Sequence, residues 1–469
     1  MDPNPIERGE QQFLELATDA LGRLESFLAH LAEGDALCAD AVGPELLEAL
    51  RIGERPSPRA AVLDVVEGAA RYGFETAGPR YFGYIPAGGL PSSAVASLLT
   101  QVLNRYATLV DMAPGLVALE ESVLNWLCRE FALPAGSGGL LTTGGSNATL
   151  TAVVAARDAV LGSDHGHGVI YVSRHTHLCV AKSAHVAGIP AQRVRQVPVD
   201  DQLRMRPDDL EAQIEHDLAA GFRPMMVVGT AGTTDSGTID PLRELAATAR
   251  RHSAWFHVDA AYGGAFQLTE SGRAKLRGIE RADSITLDPH KGFFMPYGIG
   301  ALLVKDVSTL SAAHRGSGPY LQDLAGYADL PDYSERGNEL TREHRGLRMW
   351  LPLRLHGVAA FREVLDERLR LAAQAYDTLR SESWLELPWR PDLSTVVLAC
   401  RAGDEATRTM FRTIRDEGRF LLTSTEIDGR FYIRICVLSF RTRPAHVDEL
   451  LRDILRCAPG DSASAGVRG

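Results

Sequence analysis

The sequence lacks the features of several classes of protein. No stretch of about eighteen apolar residues occurs, so we expect no membrane-spanning helix. The net charge of −11 argues against a general binder of nucleic acid or of anionic membranes, since both select a basic protein surface. The segment MDPNPIERGEQQ, at residues 1–12, does not have the layout of a secretory signal peptide.

The six cysteines are spread along the chain, and no CxxC pair occurs. This spacing favours reduced thiols in a cytoplasmic protein over a disulfide framework or a zinc site. His165 and His167 lie in the segment SDHGHGV, but no set of carboxylates or cysteines completes a metal site there. We therefore expect a cytoplasmic location and no bound metal.

Lysine is scarce. Arginine is used at almost every basic position, and the only lysines are Lys182, Lys275, Lys291 and Lys305. Each lysine is therefore a candidate for a specific role. Nucleotide composition alone can produce the same bias, so the scarcity points to these residues without assigning them a role.

Short apolar runs alternate with helical patterns from about residue 92 onward. The runs predict buried strands at 139–142, 169–172, 225–229, 255–258, 285–287 and 299–304. Helical patterns between them cover 147–161, 207–219 and 242–251. Strands separated by helices predict a mostly parallel sheet covered on both faces, with ligands bound beyond the carboxyl ends of the strands.

The two ends of the chain have different patterns. Helical periodicity at 6–33 and 58–74 predicts either an ordinary helical hairpin or an arm docked on a second subunit. A long helical pattern at 347–379 is followed by alternating strand and helix patterns, which predict a smaller α+β domain. These patterns cover 394–400, 404–417, 431–436 and 444–456. We expect the arginine-rich segment 342–348 to face solvent or a subunit contact, with Arg348 able to reach an anion.

A glycine turn follows the first strand in the segment TTGGSNAT, at residues 142–149. A strand, a glycine turn and a helix start present free backbone N–H groups and a hydroxyl at a helix N-terminus, which binds phosphate well. The segment is neither a Walker loop nor a dinucleotide GxGxxG motif. A plain strand-to-helix turn with a Ser or Asn cap explains it equally well.

Two charged residues follow later strands. Asp259 ends the run in WFHVDAAYGG, where a carboxylate is costly unless a cation meets it. It is either a partner of a metal or protonated heterocycle, or a helix cap or structural ion pair. Lys291 follows the run in SITLDPHKGFF, where desolvation favours its neutral, nucleophilic form. The alternative for Lys291 is an amine that extends to the surface.

The three segments together match the needs of pyridoxal phosphate. The glycine turn would bind the phosphate, Asp259 would keep the ring nitrogen protonated, and Lys291 would hold the aldehyde as a Schiff base. Each segment alone is ambiguous, and their combination predicts this cofactor.

At this point the sequence resembles the group II pyridoxal-phosphate-dependent amino acid decarboxylases, the relatives of aromatic-L-amino-acid and glutamate decarboxylases. The resemblance covers roughly residues 78 to 455. It is carried by TTGGSNAT, SRHTHLCVAKSA, GTAGTTDSGTIDPL, HVDAAYGG, DPHKGFF and EHRGLRMW.

The family resemblance implies an α/β protein of PLP fold type I, the aspartate aminotransferase-like fold. It has a mostly parallel seven-stranded sheet in a large domain, a small C-terminal α+β domain and an N-terminal helical segment. The implied division is a helical segment at 1–77, a large PLP-binding domain at 78–365, a small domain at 366–457 and a disordered tail at 458–469.

The resemblance also implies the residues that bind pyridoxal 5'-phosphate. Lys291 matches the lysine that holds the aldehyde, Asp259 the partner of the ring nitrogen, and His177 the histidine stacked on the ring. The other implied cofactor contacts are Gly144, Gly145, Ser146, Thr234, Ala261, Asp288 and His290. Many relatives have Asn at the position of Asp288, and a carboxylate there would repel the phosphate. Many have Trp at the position of Gly292, so we expect a less bulky wall beside Lys291.

Further positions match the substrate side of the family's site. Tyr84, Pro86 and Ala87 match its lining, and residues 104–114 match a part that often crosses to the partner subunit. Tyr320 matches the loop tyrosine that protonates Cα after carbon dioxide leaves. Tyr327 and Tyr333 are alternatives for that role.

The implied function is decarboxylation of an L-amino acid or a similar small molecule by a homodimer, with no nucleic-acid or membrane partner. Decarboxylation-coupled oxidative deamination, which forms an aldehyde, and β-elimination by a C–S lyase are alternatives on the same scaffold. A tyrosine at position 320 favours simple decarboxylation. An inactive interaction protein is disfavoured because Lys291, Asp259 and His177 are all present.

Overall fold

The structure is a computed structural model that describes residues 4–10, 12–38, 41–85, 88–316, 327 and 329–458. Within these ranges, no helix is both long and apolar enough to cross a membrane.

The described residues form helices and strands in a largely alternating order. The α-helices are α1 (Pro5–Glu10), α2 (Phe13–His30), α3 (Pro44–Ala49), α4 (Arg59–Ala70), α5 (Pro91–Leu103), α6 (Pro114–Glu130), α7 (Gly145–Leu161), α8 (Cys179–Val186), α9 (Pro207–Ala219), α10 (Leu242–Arg251), α11 (Glu270–Lys275), α12 (Ser308–His314), α13 (Gly346–His356), α14 (Val358–Arg380), α15 (Asp404–Asp416) and α16 (Pro444–Arg456). The strands are β1 (Leu37–Cys38), β2 (Gly73–Phe74), β3 (Gly138–Thr142), β4 (Gly168–Ser173), β5 (Val194–Val197), β6 (Arg223–Thr230), β7 (Trp255–Asp259), β8 (Ser284–Leu287), β9 (Gly300–Val304), β10 (Leu385–Glu386), β11 (Thr395–Cys400), β12 (Thr423–Ile427) and β13 (Arg430–Cys436).

The large sheet has seven strands in the order β3-β9-β8-β7-β6-β4-β5. Neighbouring strands from β5 to β8 run parallel, whereas β9 is antiparallel to both β3 and β8. The prediction of a mostly parallel seven-stranded sheet is therefore confirmed. The connections between parallel strands run through helices, so the carboxyl ends of β4, β6, β7 and β8 meet at one edge.

Helices cover both faces of this sheet. Along β4, Val169 and Tyr171 belong to one core cluster, whereas Ile170 and Val172 belong to another on the opposite face. A strand buried on both faces reads as a continuous apolar run, which explains why the central strands were predicted from the sequence. The edge strand β5 was missed because only Val197 of its residues is fully buried.

The small sheet is antiparallel, in the order β10-β11-β13-β12. Strand β12 was missed because its sequence, TSTEI, has no apolar run, and only Thr423 and Ile427 at its ends are buried. The single long helix expected at 347–379 is two helices, separated at Gly357, whose φ of +75° favours glycine. Helix α14 passes through the predicted domain boundary at residue 365, and the boundaries stay a prediction.

The three arginines of the segment 342–348 are buried, so the expectation that it faces solvent or a subunit is wrong. Arg342 lies 2.8 Å from Glu120 of α6, and both side chains are almost inaccessible. Arg348 donates to the carbonyl oxygens of Pro296, Tyr297 and Gly298 at 3.0, 2.9 and 3.1 Å. Buried charges persist when partners meet them, and here they fix the connection between β8 and β9.

Candidate active site

A cavity of about 260 Å³ lies at the carboxyl edge of the large sheet. All the residues predicted to bind the cofactor line it: Gly144, Gly145, Ser146, His177, Thr234, Asp259, Ala261, Asp288, His290 and Lys291. They come from the segments that follow β3, β4, β6, β7 and β8. Ligands of parallel α/β sheets bind at this edge, because the loops after the strands converge there.

The glycine turn places the N-terminus of α7 in the cavity wall. The first amides that bond within the helix are those of Asn147 and Ala148, which both donate to the carbonyl oxygen of Gly144. The amides of Gly145 and Ser146 precede them and remain available to an anion. A side chain at Gly300 would lie 2.5 Å from the backbone of Gly144, so β9 approaches this turn as closely as glycine allows.

Asp288 and Lys291 form an ion pair beside this helix start. The Lys291 Nζ lies 2.9 Å from the Asp288 Oδ2, and the Asp288 side chain is only 6 % exposed. The Asp288 Oδ1 is buried without a hydrogen-bond partner. A Cβ at Gly145 would stand 2.9 Å from Oδ2, so the carboxylate lies directly against the start of α7. Asp288 therefore places negative charge where the predicted phosphate contacts are.

His290 lies on the other side of Asp288. Its Nδ1 donates to the carbonyl oxygen of Ile299 at 2.6 Å, because a carbonyl can only accept. Its Nε2 therefore faces the Asp288 Oδ2, at 3.6 Å. Burial lowers the pKa of His290, so the ring is neutral near pH 7 and its Nε2 can accept a proton. A protonated phosphate could donate a hydrogen bond to Nε2 of the neutral ring. If the ring is protonated, Nε2 could instead donate a hydrogen bond to the phosphate.

Asp259 also lines the cavity. It is the last residue of β7 and is 5 % exposed, and its Oδ1 accepts from the amide of Ala261 at 3.1 Å. Among the residues that the structure describes, no cationic side chain lies within ion-pair distance of Asp259. Burial, with a contribution from Asp259, raises the pKa of the nearby Cys179 thiol to about 12, so this cysteine is neutral.

His177 lines the cavity between β4 and α8. The amide of Cys179 donates to its Nδ1 at 3.2 Å, which makes Nδ1 an acceptor and leaves the proton of the neutral ring on Nε2. This hydrogen bond fixes how the imidazole is turned at the start of the helix. The ring is therefore oriented before any ligand binds.

The predicted substrate-side residues are only partly described. Tyr84 is 56 % exposed, and its neighbour Ile85 lines the cavity. Pro86, Ala87 and Tyr320 lie outside the described residues. Tyr333 does not reach the cavity: it is buried, and its hydroxyl donates to Glu121 at 2.9 Å.

The expectation of a less bulky wall at Gly292 is wrong. Gly292 is buried, and a Cβ there would stand 2.4 Å from the Cβ of Ala265. The segment Gly263–Leu268 already fills that space. Glycine at this position therefore admits a neighbouring element and does not enlarge the cavity.

Arg434 was missed in the sequence. It lies on β13 and is 4 % exposed, and it donates to the Thr423 hydroxyl at 3.2 Å and to the Cys436 sulfur at 3.5 Å. Its Nε is buried without a partner, and among the described residues no carboxylate pairs with it. Thr423 also accepts from the amide of Tyr84, so this buried cation lies beside the predicted substrate segment. Nothing in the local sequence RFYIRIC marks it.

The cavity fits pyridoxal phosphate. Its lining includes the free amides of Gly145 and Ser146 and the buried Asp259 carboxylate, which has no cationic partner among the described residues. A phosphate and a protonated ring nitrogen would satisfy these groups, and Lys291 lies within the same cavity. The fold and the site together define a pyridoxal-phosphate enzyme of fold type I.

Comparison with known proteins identifies the family. The family described as the pyridoxal-dependent decarboxylase conserved domain matches residues 46–401. The chain is 32% identical over 396 residues to the aromatic-L-amino-acid decarboxylase of Bacillus atrophaeus, covering 82% of each chain. It is 30% identical over 398 residues to the L-2,4-diaminobutyrate decarboxylase of Rhizobium meliloti (strain 1021), covering 84% of this chain and 80% of that one.

A solved structure gives the same result. The crystal structure of Oryza sativa TDC with PLP and tryptamine matches with a TM-score of 0.91 at 25% identity, covering 97% of this chain and 99% of that one. The chain therefore belongs to the pyridoxal-dependent decarboxylases. The predicted family, fold type I, cofactor and decarboxylase class are confirmed.

Replacing Asp288 by Asn should tighten cofactor binding. The change removes a negative charge beside the phosphate site and frees the Lys291 amine from its ion pair. We expect the dissociation constant of pyridoxal phosphate to fall about tenfold, which corresponds to ~1.4 kcal/mol. Absorbance titration of the cofactor-free protein measures it. Asp283→Asn, which changes a carboxylate at the opposite end of β8, is the control. Weaker binding by Asp288→Asn alone would show that the carboxylate holds the cofactor.

Proposed function

We propose that the protein removes the α-carboxylate of an L-amino acid as carbon dioxide, with pyridoxal phosphate held in the cavity described above. The observation that carries the proposal is the presence of Lys291 and Asp259 in one cavity. These residues follow the adjacent parallel strands β8 and β7, and the amine and the buried carboxylate line one cavity.

The cofactor's phosphate would be held at the start of α7. Gly144, Gly145 and Ser146 offer the turn and its amides, and His290 can donate from Nε2 once it is protonated. The negative charge of Asp288 would repel the phosphate, and a protonated His290 would offset that charge. When bound, pyridoxal phosphate supplies a ring that accepts the electrons released as the Cα–carboxylate bond breaks.

The chain's own residues would orient and polarise that ring. Asp259 keeps the ring nitrogen protonated, because a buried carboxylate without another cation strongly favours a charged partner. Lys291 would hold the cofactor's aldehyde, and His177, Ala261 and Thr234 would hold its ring. These roles rest on the family resemblance and on the placement of all five side chains at the cavity.

The substrate would lie between the cavity and the small sheet. Arg434 is a buried cation beside Tyr84, so we assign it to the substrate's carboxylate. The family resemblance assigns Tyr84, Pro86 and Ala87 to the substrate side and Tyr320 to the return of a proton to Cα; of these residues the structure describes Tyr84. Aromatic and diamino substrates both occur in the names of the relatives, which supports an L-amino acid as the class of substrate.

The N-terminal helices support a homodimer. Leu14, Leu21 and Leu24 of α2 recur at helical spacing, and they are 76, 54 and 53 % exposed. Ion pairs of Arg23 and Arg59 join α2 to α4, so the exposed apolar face belongs to an ordered hairpin. A second copy of the chain would cover it. The cytoplasmic location stays a prediction.

Replacing Lys291 by Ala tests the enzyme proposal. The wild-type protein with cofactor should show an absorbance band that borohydride abolishes while fixing the cofactor to the chain. Lys291→Ala should lose this fixation and between about 10²- and 10⁴-fold in turnover. Lys182→Ala, at an exposed position of α8, should behave as the wild type. Equal borohydride fixation in Lys291→Ala would refute the role of this lysine.

Analysis of the reaction products distinguishes decarboxylation from oxidative deamination and from β-elimination. A panel of L-amino acids and cysteine S-conjugates is screened for carbon dioxide, amine, ammonia, peroxide and pyruvate together. Amine and carbon dioxide alone support the proposal. Peroxide with ammonia would replace it by oxidative deamination, and pyruvate would replace it by β-elimination.

Replacing Arg434 by Met should weaken substrate binding. Loss of a charge-assisted hydrogen bond to the substrate carboxylate should raise KM by about 10- to 100-fold, and Arg434→Lys should restore part of the loss. Arg430→Met, on the same strand but paired with Glu386, is the matched control. Steady-state kinetics on the best substrate measure the change. A lower melting temperature with unchanged KM would contradict the assignment.

Introducing charge on α2 tests the dimer. Leu21→Glu combined with Leu24→Glu should convert the dimer into a monomer, because two carboxylates cannot be buried at the interface without partners. Size-exclusion chromatography with light scattering measures the mass. Leu218→Glu, at an exposed position of α9, should leave the mass unchanged. A wild-type monomer would overturn the proposal.

A further inference from the structure

Two loops at the cavity are joined by a histidine and an aspartate that the proposed reaction does not use. Strands β4 and β6 are hydrogen-bonded neighbours, so the segments that follow them lie side by side. His175 follows β4 and Asp235 follows β6. The His175 Nδ1 lies 3.1 Å from the Asp235 Oδ2, and the histidine is 6 % exposed.

The partners of His175 fix its tautomer. The Nε of Arg174 donates to the His175 Nε2 at 3.2 Å, and because an arginine can only donate, this ring nitrogen must accept. The proton of the neutral ring therefore lies on Nδ1, which donates to Asp235. The imidazole is held between two partners and has a single orientation.

The same two loops contact the small sheet. The Thr425 hydroxyl of β12 donates to the Asp235 Oδ1 at 3.0 Å. The Arg174 guanidinium makes two hydrogen bonds to the carboxylate of Asp428, in the turn between β12 and β13, and the one from Nη2 is 2.9 Å. The β12–β13 hairpin is therefore attached to the cavity loops at two points.

The contacts continue to the proposed substrate side. Thr423 and Thr425 are two residues apart on β12, so their side chains lie on one face of the strand. Thr423 accepts from the amide of Tyr84 and from Arg434. One face of β12 therefore contacts two segments. Thr425 bonds to Asp235, in the loop of Thr234, and Thr423 bonds to Tyr84, in the predicted substrate segment.

We propose that His175 and Asp235 are a positioning pair that couples docking of the β12–β13 hairpin to the placement of His177 and Thr234 at the cofactor. His175 is two residues from His177, and Asp235 directly follows Thr234, so a shift of either loop moves a cavity side chain. The inference rests on the proposed function, since it assigns the pair a role toward the bound cofactor.

The charge on Asp235 supports the coupling. Burial acts to raise the pKa of Asp235, yet the hydrogen bonds of His175 and Thr425 outweigh it, and the pKa lies below its usual range. The carboxylate is therefore ionised and accepts from both sides. Removing either donor leaves a partly buried charge with one partner fewer, which loosens the loops at the cavity.

Cofactor affinity and the spectrum of the bound cofactor test the pair. We expect His175→Ala to weaken binding of pyridoxal phosphate about tenfold and to change the circular dichroism of the bound cofactor, because the loop that carries His177 loses its contact with Asp235. Thr425→Val, which keeps the shape of the side chain, should weaken binding about threefold. His175→Asn should lie within about twofold of the wild type, since its amide replaces the Nδ1 donor.

The control is the ion pair of Arg204 with Asp392, which, like that of Arg174 with Asp428, joins the part of the chain around the large sheet to the part around the small sheet. Arg204 lies 3.2 Å from Asp392, which precedes β11, and neither residue lines the cavity. Arg204→Ala should lower the melting temperature and leave the cofactor's affinity and dichroism unchanged. If His175→Ala and Thr425→Val behave like Arg204→Ala, the positioning role is overturned.

The experiment separates this inference from the proposed function. Titration of the wild-type protein with pyridoxal phosphate comes first, and binding with a borohydride-sensitive band supports the function whatever the variants do. Normal wild-type binding with no effect of His175→Ala or Thr425→Val refutes the pair alone. Because Thr425→Val is a conservative change on a strand, it remains informative even if His175→Ala fails to fold.

Discussion

A buried carboxylate without a cation is the constraint on which the site depends. Asp259 stands at the end of β7, 5 % exposed, and accepts only a backbone amide among the contacts described. Such a charge is costly unless a ligand neutralises it, and a protonated ring nitrogen does so while becoming a better acceptor of electrons. The parallel pairing of β7 with β8 then puts Lys291 in the same cavity. The fold thus brings a buried carboxylate and an amine together in one cavity, as the proposed roles require.

At the start of α7, the charges of Asp288 and Lys291 offset each other. The start of α7 attracts an anion, and Asp288 already places a carboxylate against it. Lys291 neutralises that carboxylate at 2.9 Å, and neutral His290 faces it with an acceptor nitrogen. As proposed, attachment of the cofactor to Lys291 would change this ion pair, so cofactor binding would be linked to the charges of Lys291, Asp288 and His290.

Particular elements show why the sequence predicted some features and missed others. The central strands β6 and β7 are buried on both faces and were predicted from their apolar runs. The edge strand β5 and the polar strand β12 have no continuous apolar run and were missed. The arginines at 342–348 looked like a solvated face because local sequence does not reveal Glu120, which neutralises Arg342 from α6. Gly292 looked like an open wall because Ala265, which fills the space, comes from another segment.

The sequence by itself predicted which side chains would carry the chemistry. The order of the glycine turn, Asp259 and Lys291, each after an apolar run, specified a cofactor with a phosphate, a basic ring nitrogen and an aldehyde. Only the tertiary structure decided which groups from distant parts of the chain meet: His175 with Asp235, Thr425 with Asp235, and Thr423 with the amide of Tyr84. These pairings depend on strand order and on how the small sheet docks, and both join residues that are far apart in the chain.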